Sequence, residues 1–327
     1  MHLWQVSHCD RYNITYRLTL SGVQPEVNEL IMKHQRFKPG VPKVHFLQRA
    51  NTGFDFGAHR AALDSEQVRL GAHRLDLLGY DMYVFLNDGT RGPFFPSYMP
   101  DNWHWLDAFS KALNPPVQLV GTSVVCLHPQ DYAVQNWPYL RGPKVEGFAF
   151  AMSERSFANE IRHGTSFQFH KDKNTAIVSG EYNLSWNVFN AHGQQWSISS
   201  LLYNHNGVDF RDHANWQCNN FLFPTRPLAH GPGINIHPLE VLFHKPIWHS
   251  IEVGNPCRVS WVETETYTAW AKGQSLPPLP KCYERKSWKS WLVDENDAAS
   301  IRCYRSEDEE KEMLREMYDT PNPWYII

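Results

Sequence analysis

The sequence predicts an α/β fold, a mixed but mostly parallel sheet flanked by helices, from three observations. Short β-rich runs alternate with stretches of helical period through the first three hundred or so residues. Two polar turns punctuated by glycine, Asn51 to Arg60 and Asn87 to Pro93, each follow an apolar run, as turns at the carboxyl edge of such a sheet do. Between them Ala61, Val68, Ala72 and Leu75 recur at steps of seven, four and three residues and end near Gly79, which predicts a helix. Strand, helix and strand in that order imply a right-handed parallel unit.

The predicted strands are Thr15 to Leu20, Lys43 to Leu47, Met82 to Leu86, Gln118 to Val125 and Val145 to Met152. Ser153 has the character of an N-cap, Phe157 and Ile161 share a face and Gly164 supplies a stop, so residues 154–163 form a short helix. A second helix is predicted from Gly180 to His192, capped by Ser179, with Leu184, Val188 and Ala191 on one face and Gly193 at its end. That placement puts Glu181 in the first turn. Residues 205–290 are rich in Pro, Gly, Asn, Trp and His, and only Leu239 to Phe243 stands out as a regular element. In the tail, Ser306 and Glu309 form a capping box, and Met313, Leu314 and Met317 make a narrow apolar stripe on a charged accessory helix. Residues 1–290 therefore read as one domain and 291–327 as a helical appendage, without repeats or low-complexity segments.

Composition narrows the function classes. With 42% hydrophobic and 20% charged residues in 327, the chain has the balance of a soluble globular protein with a sizeable core. A net charge of -3 and no dense Lys/Arg run argue against nucleic acid as a partner. No apolar run of about 18 residues is present, so no membrane span is expected, and the compartment stays open between cytoplasm and secretory lumen. The 13 Trp suit either a core or a surface that stacks on sugars, with core the default for most. Six scattered cysteines form no Cys-x-x-Cys pair, so buried thiols are the default. The even count and the sequons at Asn13 and Asn183 also fit one to three disulfides in a secretory lumen.

The chemistry concentrates in the two turns. Asn87-Asp88 places a carboxylate and an amide oxygen at a strand end, which suits a hard divalent cation bridging to phosphates; Asn-Asp-Gly is also a favoured turn sequence. Gly53 and Gly57 flank Asp55 where a strand feeds a helix, so backbone amides can face a nucleotide and Asp55 can accept from a ribose or base. The alternative for Asp55 is a helix cap. Glu146 follows a loop into a strand, where it could meet sugar hydroxyls or stand as an edge-strand charge. No Gly-x-Ser-x-Gly elbow, P-loop lysine motif or His-Glu-x-x-His is present.

Asn-Thr-Gly-Phe-Asp-Phe-Gly-Ala from Asn51, Tyr-Val-Phe-Leu-Asn-Asp-Gly-Thr-Arg-Gly-Pro from Tyr83 and Leu-Val-Gly-Thr-Ser from Leu119 resemble the GT-A glycosyltransferase-like family related to rhamnan-synthesis protein F and viral rhamnosyltransferase-type domains. The resemblance covers roughly residues 40–250. It implies a GT-A-like fold, with a nucleotide-sugar half to about residue 165 and an acceptor half to about 290. It further implies transfer of a sugar from a nucleotide diphosphate sugar to a glycan or glycosylated acceptor, in polysaccharide biosynthesis. Asp88 and His244 would hold Mn2+ or Mg2+, although Leu86-Asn87-Asp88 has one carboxylate where the family motif has two. Asn51, Gly53, Asp55, Gly57, Arg60, Asn87, Arg91, Glu146 and Lys245 would contact the nucleotide sugar, and Glu181 would be the general base of an inverting transfer. A non-catalytic carbohydrate- or nucleotide-sugar-binding protein on the same fold is the alternative. A glycoside hydrolase using Glu146 and Glu181 as its carboxylate pair is a third option.

Overall fold

A computed structural model describes residues 12–22, 43–95, 99–100, 102–221, 224, 238–245, 269 and 275. The capping box at Ser306, the apolar stripe ending at Met317 and the whole 291–327 appendage lie outside the described residues. Strands β1 (Thr15–Ser21) and β2 (Lys43–Arg49) pair in parallel, Thr15 against Lys43 through Ser21 against Arg49. Helix α1 (Phe54–Leu70) begins inside the first polar turn, after Gly53 turns the chain with a left-handed φ of 74°. Its other end is fixed by Gly71, also left-handed, whose N–H reaches the carbonyls of Gln67 and Val68. The helix is therefore shorter than the spacing suggested. Ala72 and Leu75 lie beyond it, and Leu75–Leu77 is a separate single turn whose first leucine joins the core while Leu77 is exposed. Buried Glu66 ties α1 to β1 and to the following loop, pairing with Arg17 and Arg69 and accepting from the Tyr80 hydroxyl.

The central sheet has the order β3 (Met82–Leu86), β7 (Ala149–Ser153), β4 (Val117–Gly121), β8 (Ser197–Ser200). β7 runs antiparallel to both neighbours, while β4 and β8 are parallel. Strands β5 (Val124–Leu127) and β6 (Gly142–Val145) form an antiparallel ribbon beside it. The fold is thus mixed α/β, as expected, but not mostly parallel. The expected parallel unit does not close either: among the described residues, β2 bonds to β1 and β3 bonds to β7. The expected strands Gln118 to Val125 and Val145 to Met152 are each interrupted by a corner, at Thr122–Ser123 and at Glu146–Phe148. Both corners carry polar residues, Thr122, Ser123 and Glu146, that are fully buried, so the turns hide inside the body instead of marking a surface loop.

Both faces of the sheet are covered. Phe150 and Met152 of β7 point into one cluster with Phe56 of α1, Phe85, Phe167 and Phe157 of α4 (Glu154–His163). Ala149 and Ala151 enter the other, with Trp105, Phe109 of α2 (Leu106–Ala112) and Phe243. That period of two with both faces apolar is why β7 reads as a continuous hydrophobic run. The rings of Phe85 and Phe150 stack at 5.0 Å between centroids, and much of the aromatic content is used in this way. Among the described tryptophans only Trp137 counts as exposed, at 37%.

α4 follows the expected bounds, its N-cap Ser153 accepting from the Ser156 amide. After a short helix α3 (Tyr132–Asn136) in the β5–β6 connection, the largest departure from the expected helices is α5. It is one continuous run made of Lys173–Thr175, a π-helical Ala176–Tyr182 and Asn183–Phe189, where a helix from Gly180 to His192 was expected. Asp172, not Ser179, caps it by accepting from the Thr175 amide at 2.8 Å. Glu181 therefore sits in mid-helix rather than in a first turn, and the macrodipole does not act on it. The last described element is α6 (Pro238–Val241), in the stretch expected to be regular.

Cys126 of β5 and Cys218 form a disulfide, which corrects the expectation of buried thiols for this pair. It closes a loop with a sequence separation of 92 residues. Replacing Cys218 with Ser is expected to lower stability by about 2–5 kcal/mol. A reductant should reproduce the fall in Tm on the wild type and do nothing more to the variant; equal melting of both proteins without reductant would refute the bond. No helix among the described residues is long and apolar enough to cross a membrane.

Candidate functional site

The two polar turns meet. The Asn87 amide Nδ2 donates to Asp55 Oδ2 at 3.1 Å, joining the end of β3 to the first turn of α1. Asn87 is held on its other side: its Oδ1 accepts from the Thr90 hydroxyl at 2.9 Å, and its backbone N–H donates to the Phe148 carbonyl at 2.9 Å. Asp55 is exposed, so its carboxylate is oriented by an amide and still open to a ligand. Gly53 forms an isolated antiparallel bridge with His170, and the Phe169 ring lies over it. A Cβ at Gly53 would stand 2.9 Å from Phe169 Cδ1, which together with the positive φ requires glycine there. Phe54, at φ 55°, continues the left-handed turn, and both Phe54 and Phe169 remain exposed. The Arg49 guanidinium covers the Phe169 ring at 5.4 Å, and Asn51 and Thr52 lie exposed beside it.

Glu181 belongs to the same neighbourhood through one residue of backbone. Its Oε1 accepts the Gly147 N–H at 3.0 Å, and Gly147 precedes the Phe148 carbonyl that holds Asn87. A Cβ on Gly147 would lie 3.0 Å from Glu181 Cγ, so the approach depends on glycine. Glu181 stands in the π-helical turn of α5, where the Asn183 amide reaches back to the Val178 carbonyl. Such turns recur at functional sites because they re-aim a side chain without ending the helix. Here the widened turn accompanies the close seat of Gly180 on Phe56 and His170.

The segment at 242–245 supplies a third side. Arg91 and His244 exchange backbone hydrogen bonds, N–H to carbonyl, at 2.8 and 2.9 Å. This bridge sets Lys245 beside the acidic turn, its Cε 3.4 Å from where a Cβ on Gly89 would be. His244 itself is fully buried, whereas Asp88 is exposed at the turn. The structure thus brings Asp55, Asn87, Glu181 and Lys245 around the meeting turns. Arg60 faces elsewhere, pairing with Asp64 one turn along α1. Glu146 is fully buried and takes the Ser123 hydroxyl, so it presents no carboxylate edge to a sugar and does not flank a cleft with Glu181.

Sequence reasoning missed three neighbours. His59 lies one turn after Asp55, and burial against Phe56, Phe85 and Phe150 pushes its pKa down to about 4, against the pull of Asp55. It is neutral at physiological pH. Thr90 is buried beneath the second turn, its hydroxyl against Asn87 Oδ1. Lys173 begins α5 near Asp55 and Lys245, and the Asp172-x-x-Thr175 cap could have located it. A Ser200–His205–Asn219 chain also runs at the end of β8, with contacts of 2.6 and 3.1 Å. Ser200 and His205 are buried and the Leu201 amide is already spent on the Gly121 carbonyl, so this chain anchors its loop to the sheet without an oxyanion donor next to the serine.

No protein-family model matches the chain, and neither a curated protein nor a solved structure does.

Proposed function

We propose that this chain is a glycosyltransferase that moves a sugar from a nucleotide diphosphate sugar to a glycan or glycosylated acceptor, with inversion. The observation that supports it most is the 3.1 Å contact of Asn87 with Asp55, which joins the two motif turns at one exposed carboxylate. Asp55, Asn51 and the amides around Gly53 and Gly57 hold the nucleotide in this reading. Lys245 and Arg91 face its phosphates, offsetting the charge that grows on the departing diphosphate.

Glu181 takes the acceptor hydroxyl proton. Its Oε1 accepts the Gly147 N–H, which holds the carboxylate in place to act as base. A divalent cation fits Asp88, because Mg2+ typically binds through one or two carboxylates with water and substrate phosphates completing its shell. His244 does not offer an open second position, since its side chain is enclosed. The ion would neutralise phosphate charge; binding, orientation and proton transfer fall to the protein.

Thermal-shift titration with uridine, guanosine and thymidine diphosphate sugars, with and without manganese, tests the reading. At least one donor should raise Tm, and Asp88→Ala should remove the increment added by manganese. A manganese increment that survives Asp88→Ala would sink the metal assignment. Binding with no transfer or hydrolysis of any donor would leave a non-catalytic carbohydrate- or nucleotide-sugar-binding protein instead.

A further inference from the structure

We propose that Lys173, acting with Lys245, grips the diphosphate of the nucleotide, so that a nucleoside diphosphate binds this site without a divalent cation. The inference rests on reading the site as one for a nucleotide sugar. The Gly53–His170 bridge lays the chain before α5 along the first turn of α1, and Asp172 then fixes where the helix begins. Lys173 is the first residue of that run and is exposed. Lys245 arrives from the other direction, carried by the backbone bridge between His244 and Arg91 to the edge of Gly89.

This arrangement opposes two electrostatic preferences at once. A cation at a helix start meets the positive end of the macrodipole, where carboxylates are favoured. A second ammonium within range adds repulsion, and Asp55, whose charge favours the Lys173 ammonium, already receives the Asn87 amide. Although Lys173 is exposed overall, partial desolvation of its amino group and then the Lys245 charge push its pKa below the usual lysine range, while Asp55 pulls the other way. A dianionic diphosphate between the two ammoniums reverses the sign of both terms. Two lysines can supply the neutralisation that a second motif carboxylate with its metal supplies elsewhere, which accounts for a turn with Asp88 alone.

The test is titration calorimetry in EDTA with uridine, guanosine and thymidine diphosphates and with inorganic pyrophosphate, on wild type, Lys173→Ala and Lys173→Arg. A charged hydrogen bond is worth about 1.5–3 kcal/mol, so Lys173→Ala should weaken diphosphate binding roughly 10- to 100-fold. Lys173→Arg should retain it, and the uncharged nucleosides should not distinguish the variants. Diphosphate binding that vanishes in EDTA, or that is equal in wild type and Lys173→Ala, overturns the proposal while leaving a nucleotide site intact. If only pyrophosphate binds, and in a Lys173-dependent way, the anion seat stands and the nucleotide-sugar reading falls.

Discussion

Glu181→Gln should lower the transfer rate about 10²- to 10⁴-fold, the contribution of a positioned general base, with donor affinity unchanged. Glutamine keeps the shape and can still accept the Gly147 N–H through its amide oxygen, so the π-helical turn should survive. What it cannot do is take a proton. The measurement is kcat and KM on the best donor from the thermal-shift screen, together with Tm of both proteins. A small change in kcat would remove Glu181 from the mechanism. A large fall in Tm would instead mean that the carboxylate holds α5 against the Gly147 corner. Because Glu181 stands in mid-helix, the helix ends do not act on its carboxylate, and the Gly147 amide orients it instead.

The second large effect concerns stability. Lys144 of β6 is fully buried, and burial lowers its pKa from 10.5 to about 7. Between those two pH values the unfolded chain holds a proton that the folded chain has released, so stability rises with pH across the interval. Below about pH 7 both states are protonated and the cost of burying the charge is present in full. Lys144→Met should therefore stabilise the protein most at and below neutral pH, on the order of several kcal/mol at about 1.4 kcal/mol per pH unit. The gain should shrink towards zero as pH approaches 10. Denaturant unfolding of both proteins at pH 6, 8 and 10 checks this, and a difference that does not vary with pH would reject it. Lys144→Arg, which keeps the charge at every pH, should show no such gain.

The readable part of the fold was the part written in local backbone chemistry. Gly53, Ser153 and Gly164 mark turns and helix ends through their own local preferences, and the Lys43, Met82 and Glu154 starts fall where expected, whereas the stop at Gly71 was overrun by an apolar spacing that continued to Leu75. Strand pairing was not readable. Phe150 and Met152 face one cluster and Ala149 and Ala151 the other, so β7 carries no alternation to reveal its direction or partners. The π-helical turn was hidden as well, because it accompanies a contact between Gly180 and Phe56, 124 positions apart in number. Ser179-Gly180-Glu181 read as a helix start only because a cap and a glycine resemble one locally. The Cys126–Cys218 pairing was equally beyond reach, since spacing alone does not choose a partner.

By itself the sequence determined where the polar turns lie, which residues they carry and that an α/β core of aromatic and aliphatic side chains would present them at strand ends. Those features follow from glycine's access to positive φ, from capping and from apolar periodicity, all of which act over a few residues. Only the tertiary structure decided which residues share the site. Asp55 and Asn87 meet, Glu181 reaches the Gly147 corner and Lys173 comes near Lys245, while Glu146 and Arg60 are engaged elsewhere. Side-chain hydrogen bonds and charge pairs act across space, and the sheet order that sets those distances is fixed by packing on both faces rather than by any local pattern.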